Sequence, residues 1–247
     1  MKKVLKWLAI GLGALIALVV IAGIILNKKK PTGKTGPEAE ALAQKVFTAI
    51  NHEAWDSTRV LTWSFMGMHH YVWDKQRNYA QIKWGDNEVL MKLDQVTGDA
   101  FVNGKPVTGK QKEKLIKKAW SFWCNDSFWF CAPSKVFDKG TERSIVDLEN
   151  GSKGLMITYA SGGVTPGDSY LYELDENGLP VSWQMWVKII PIGGISNTWE
   201  GWTTTKTGAK ISTKHGGIVS MTMKNVQGVM TFEEAGLSSD PFIDLKP

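Results

Sequence analysis

A mainly β fold of the α+β class, hung from one N-terminal transmembrane helix, is what this 247-residue chain predicts. Three features carry the prediction: an uncharged apolar run at residues 7–26, two long tracts in which apolar and polar residues alternate, and two segments of helical period. They divide the chain into an anchor (1–27), a linker (28–36) and a β-rich domain (37–247). About 210 residues is a size that a single β-rich domain can carry.

Trp7 to Leu26 reads WLAIGLGALIALVVIAGIIL, without a charged or strongly polar side chain. At about 1.5 Å rise per residue it is roughly 30 Å long, the thickness of a bilayer's hydrocarbon core, and a helix satisfies its own backbone there. A cleaved secretory signal has a shorter apolar core, about 7 to 15 residues, followed by a small-x-small site. Here Gly23, Ile24, Ile25 and Leu26 lead into Asn27 without that pattern, so the span reads as an uncleaved anchor. No cysteine lies near it, which argues against a lipidated N-terminus. Lys2, Lys3 and Lys6 on one side nearly balance Lys28, Lys29, Lys30 and Lys34 on the other, so lysine counting does not orient it.

Those seven lysines also explain the formal charge of +5. Residues 1–36 hold no acid, and 29 basic residues less these seven leaves 22 against all 24 acidic ones. The domain is therefore slightly acidic, without a run of interleaved arginine and aromatic residues, and nucleic acid is excluded as a partner.

After the polar Lys-, Gly- and Pro-containing linker, Pro37 opens a helix whose Leu42, Val46, Phe47 and Ile50 recur at helical spacing. From Val60 the period becomes two: Leu61, Trp63 and Phe65 alternate with Thr62 and Ser64, and Ala80, Ile82 and Trp84 with Gln81 and Lys83. Gly85-Asp86-Asn87, Thr97-Gly98-Asp99 and Asn103-Gly104 are turn signals, so an antiparallel meander follows. Gly109 to Trp123 returns to helical spacing, with lysines opposite Leu115, Ile116, Ala119, Trp120 and Trp123. Such a helix covers a sheet more often than a membrane surface. Strands resume at Leu155–Tyr159, Tyr170–Leu174 and, most strongly, Val181–Ile189, with shorter ones around Trp199–Thr205, Ala209–Ser212 and Ile218–Val226.

Trp123 to Gly140, WCNDSFWFCAPSKVFDKG, is followed by Thr165-Pro166-Gly167-Asp168-Ser169-Tyr170 and Asp175-Glu176-Asn177-Gly178-Leu179-Pro180. In order and spacing these stretches resemble a family of uncharacterised exported proteins related to the lipoprotein-localisation superfamily, over most of residues 37–247. The resemblance implies a curved antiparallel sheet forming an incomplete barrel, covering helices, and an apolar cavity between them. It also implies a domain on the extracytoplasmic, periplasmic side of the inner membrane. The periplasmic carrier and the outer-membrane receptor of that superfamily hold acyl chains in the cavity. This chain departs from them in its transmembrane anchor, and no lipoprotein-specific contact aligns residue by residue.

Catalytic signatures are absent: there is no Walker, Rossmann, GxSxG or HExxH pattern. His69 and His70 are strand neighbours pointing to opposite faces, and His52 and His215 are isolated, so no metal site or cofactor is expected. Asp126, Asp138 and Asp168 sit in turn-like settings, where carboxylates bond to backbone amides more often than they catalyse. Cys124 and Cys131 would form a disulfide if exported, or remain two buried free thiols. The expected function is non-catalytic binding of a lipid or acylated ligand, in a cavity lined by Trp63, Phe65, Trp84, Trp183 and Met185. The alternatives are sugar stacking on exposed Trp186, Trp199 or Trp202, and a hydrolase whose site is assembled from distant residues.

Overall fold

The computed structural model describes residues 25–161 and 166–245, with positions 7, 11–13 and 23 of the apolar run. Most of the predicted span at 7–26 lies outside the described residues, and among the described residues no helix is long and apolar enough to cross a membrane. The rest is mainly antiparallel sheet with few helices, as predicted, and the sheets do not close into a barrel.

Helix α1 (Pro37–Ile50) begins with Pro37 in its first turn, beside Glu38 and Glu40, and buries Ala39, Ala43, Val46 and Ile50. Asn51, in the left-handed region at φ 54°, ends it and starts the short α2 (His52–Ser57). Strands β1 (Val60–Phe65), β2 (His69–Asp74), β3 (Tyr79–Trp84), β4 (Asn87–Lys92), β5 (Thr97–Val102) and β6 (Lys105–Val107) form the expected meander. Asn103 and Gly104 join the last two with φ of 50° and 71°, the doubly left-handed turn that matches the twist of a hairpin. Gly98, expected in a turn, instead lies within β5, where a Cβ would come 1.8 Å from the Leu90 carbonyl oxygen.

Helix α3 (Gly109–Cys131) does not stop near Trp123 as its periodicity suggested. Its first half shows an apolar stripe because one side faces water. Its second half is packed from several sides, so no single stripe survives to be read. A 3-10 turn (Ala132–Lys135) leads to β7 (Thr141–Asp147), β8 (Lys153–Tyr159), β9 (Asp168–Leu174), β10 (Pro180–Trp186) and β11 (Ile195–Thr198). Then come a small hairpin, β12 (Thr203–Thr204) and β13 (Lys210–Ile211), and finally β14 (Lys214–His215) and β15 (Met221–Val229).

The last strand returns to the first: Val229 pairs with Val60, and Met223 with Phe65. One sheet therefore runs β14-β15-β1-β2-β3-β4-β5-β6 and the other β11-β10-β9-β8-β7. Backbone hydrogen bonds of 2.8 Å, from Thr198 to Gly216 and from Glu200 to Lys214, join them across β11 and β14. The free ends of this combined array are β6 and β7, and α3 connects them. Its aromatic half consequently meets both sheets: Phe130 stacks on Trp63 at 4.3 Å and Phe128 on Trp183 at 5.8 Å. The main core is this meeting of helix and sheets.

The outer faces are covered by the two chain ends. Val229, Phe232, Phe242 and Leu245 pack with Val60, Val72 and Leu90 on the outside of the first sheet. On the second, Val146, Met156 and Leu171 form a smaller apolar patch beside Trp186. Residues 27–34, expected as a loose linker, cross that face. Lys28 N donates to Gly193 O at 3.0 Å, Trp186 Nε1 donates to Lys28 O at 2.8 Å, and Lys34 exchanges two backbone hydrogen bonds with Ile145 on the β7 edge.

Candidate functional site

Helix α3 does not fill the space between the sheets. A groove of 770 Å³ runs beside its Trp120–Cys131 half, within the size range of small-molecule sites. Phe65 on β1, Tyr170 on β9, and Trp183 and Met185 on β10 supply sheet-side walls, with Trp120, Phe122 and Phe128 on the helix side. These strand residues face inward because the sheets' period-two alternation places them there, with outward partners such as Ser182 and Gln184 between.

Of the residues expected to line a cavity, Phe65, Trp183 and Met185 border this groove. Trp63 lies beneath it, stacked between Tyr71 at 4.5 Å and Phe130 at 4.3 Å. Trp84 is half-buried, edge-on to Phe122 at 5.4 Å. Periodicity placed Tyr159 and Tyr170 on strands without naming them as lining, and gave no sign of the contribution from the second half of α3. Tyr159 Oη and Trp183 Nε1 are buried and find no hydrogen-bond partner among the described residues, an arrangement that costs about 1–3 kcal/mol per group.

Asp126 and His69 form a polar cluster at the groove with Tyr71. Asp126 is not in a turn, as its sequence setting suggested, but inside α3. Its Oδ2 accepts from the Tyr71 hydroxyl at 2.6 Å and lies 2.6 Å from His69 Nδ1, while Oδ1 accepts from Asn125 at 2.8 Å. Burial, reinforced by the Asp126 charge, raises the Tyr71 hydroxyl far above the ordinary phenol range, so it remains a donor. The cluster fastens α3 to β2. A histidine beside a carboxylate could activate a nucleophile, but among the described residues no serine or cysteine is hydrogen-bonded to His69. Ser127 Oγ donates to Trp123 O at 2.6 Å.

Cys124 and Cys131 both border the groove and are free thiols. They stand seven residues apart on one helix, a rise of about 10 Å, whereas a disulfide needs Cα atoms about 4.4–6.8 Å apart. The disulfide option therefore fails on geometry. Burial pushes Cys124 up to about 11 and raises Cys131 as well, which keeps both protonated and poorly nucleophilic. Asp138 pairs with Lys135 at 3.1 Å, and Asp168 accepts from the Lys188 amide at 2.9 Å. Among the described residues no three His, Cys, Asp or Glu side chains gather to hold a metal.

The tryptophans expected to face solvent do not. Trp199 is buried, Trp202 is half-buried with its Nε1 donating to Pro180 O at 3.1 Å, and Trp186 is held by Lys28.

No protein family matches the chain by sequence, and no curated protein does. Among solved structures, it is similar to the crystal structure of a DUF1329 family protein from Desulfovibrio piger, at 10% identity and a TM-score of 0.39. The similarity covers 77% of this chain and 92% of that one.

Proposed function

We propose that this protein is a membrane-anchored, extracytoplasmic binding domain that holds a lipid or an acylated ligand, and that it does no chemistry on it. The observation that carries the reading is the groove itself: 770 Å³ of space between the two sheets, walled mainly by aromatic and aliphatic side chains of the main core, with Asp94, Asp126, Lys135, Asp138, Lys139 and Asp168 as its charged lining. An acyl chain is the kind of ligand such a wall attracts, at about 0.8 kcal/mol per methylene removed from water. Tyr159 Oη and Trp183 Nε1 offer two donors for an ester or carboxyl oxygen. Protonated thiols and a histidine committed to Asp126 favour binding over catalysis. The sequence resemblance to the lipoprotein-localisation superfamily points the same way. In this reading residues 7–26 hold the domain to the inner membrane, with residues 37–247 on the periplasmic side.

The test uses the full chain in detergent, titrated with dansyl-undecanoic acid and read by energy transfer from tryptophan. Saturable uptake is expected, together with lipid retained in native mass spectra. Val187→Trp, which fills the groove, should weaken uptake at least tenfold, and Val181→Ala, exposed and outside the groove lining, should leave it unchanged. Absence of both uptake and retained lipid in the unmodified chain overturns the proposal.

A further inference from the structure

Among the described residues eight large apolar side chains are exposed beyond residue 26, and five of them gather at one end of the sheets. The strand registers show this. The β1–β2 turn carries Met66 and Met68, 36% and 54% exposed, and Met66 N donates to Thr222 O at 2.8 Å. Next to it the β14–β15 loop, closed by the His215–Met221 pair, presents Ile218 and Val219, 84% and 61% exposed. Thr198 N bonds to Gly216 O at the start of that loop, so the β10–β11 loop, closed by the Met185–Ile195 pair, lies at the same end. It presents Ile189, 73% exposed. The turn joining β9 to β10, at Asp175–Leu179, is at the opposite end.

The N-terminal segment leaves the domain at this apolar end. Asn27 Oδ1 accepts from the Gly193 amide at 2.8 Å, and Lys28 N donates to the Gly193 carbonyl at 3.0 Å. Leu26, the last residue of the predicted span, is therefore held beside the β10–β11 loop rather than on a free tether. From this we infer that the three loops form a membrane-seated rim: the domain rests on the bilayer that holds its anchor, with Met66, Met68, Ile189, Ile218 and Val219 entering the interface. Lys28, Lys29 and Lys188, all exposed around the exit point, face anionic headgroups. Ile189 and Ile190 also border the groove, so the groove reaches the rim and a lipid can pass between bilayer and groove without crossing water. The inference rests on reading residues 7–26 as an anchor, and it deepens the binding proposal by naming the route of entry.

The experiment places an environment-sensitive NBD label on the full chain reconstituted in vesicles containing phosphatidylglycerol. Single cysteines are introduced by Met68→Cys, Ile189→Cys or Ile218→Cys at the rim, and by Asn177→Cys at the far end, in a chain carrying Cys124→Ser because Cys124 is only half-buried; Cys131 is buried. Lipids carrying a nitroxide near the headgroup should quench the three rim probes at least threefold more than the Asn177 probe. Equal quenching at all four sites, in protein that floats with vesicles through alkaline carbonate, overturns the rim and leaves the groove proposal standing. Protein that does not float removes the anchor and the rim together. Dansyl-undecanoic acid uptake by detergent-solubilised chain reads the groove independently of either result.

Discussion

The two sheets are covered on their outer faces in opposite ways. Over the first, the C-terminal segment inserts Phe232, Phe242 and Leu245 among Val60, Val72 and Leu90. It is fastened by Arg77, which bonds Asp74 at 2.7 Å and Asp240 at 2.8 Å. Over the second, residues 27–34 contribute chiefly backbone hydrogen bonds and lysine contacts, Lys30 Nζ reaching Ser169 Oγ at 3.3 Å. Apolar burial scales with area and is lost only when the side chains leave, whereas each hydrogen bond exchanged with water adds roughly 0.5–1.5 kcal/mol net. The C-terminal cover is thus part of the core, and the N-terminal strap is the part that can peel.

Three changes test that contrast. The largest effect is expected from Phe242→Ala, which empties a buried site in the C-terminal cover and should cost about 3–5 kcal/mol in urea unfolding of the solubilised chain. A cost under 1 kcal/mol would put that cover on a level with the strap.

Acid between pH 6.5 and about 4 should act on neither cover. His215 is buried between Trp129 and Trp199, and burial pushes it down to about 4, against the hydrogen bond to Thr198 O and the nearby Glu200 charge. Above pH 6.5 the ring is neutral in folded and unfolded chains, and its contribution is complete. Below 6.5 the unfolded chain takes the proton first, so stability falls until pH about 4, by up to about 3 kcal/mol. Thermal unfolding across this window should show the loss equally in the parent chain and in Phe242→Ala, and His215→Gln should flatten it. A pH slope that survives His215→Gln would assign the sensitivity to other groups.

The smallest effect is expected from Trp186→Phe, which removes the hydrogen bond to Lys28 O, worth about 1 kcal/mol, and keeps most of the ring on the small apolar patch. Trypsin should then cut after Lys28, Lys29 or Lys30 several-fold faster while the C-terminal cover stays intact. A loss as large as that of Phe242→Ala would erase the difference between the two covers.

Much of the sheet is legible in the chain. Leu61, Trp63 and Phe65 alternate with Thr62 and Ser64 because they face the main core while their neighbours face the opposite side of the sheet. The same logic hid the second half of α3, where packing on several sides removes the stripe and leaves WSFWCNDSFWF looking like a turn-bearing segment. It also hid the site. Asp126 meets His69 and Tyr71 across separations of 57 and 55 residues, and the groove's walls come from five strands and a helix. The strap was illegible for another reason. Lys28 and Lys34 are held mainly through backbone atoms, which every residue possesses and no composition reveals.

The pairing of the first strand with the last also sets a timetable for biosynthesis. Ser64 on β1 bonds to Lys224 on β15, 160 residues later. At roughly 5–20 residues per second, β1 waits about ten seconds or more with an unpaired edge after it emerges. During that interval the nascent chain carries an unpaired strand edge, which a holdase would have to guard until the final segment arrives.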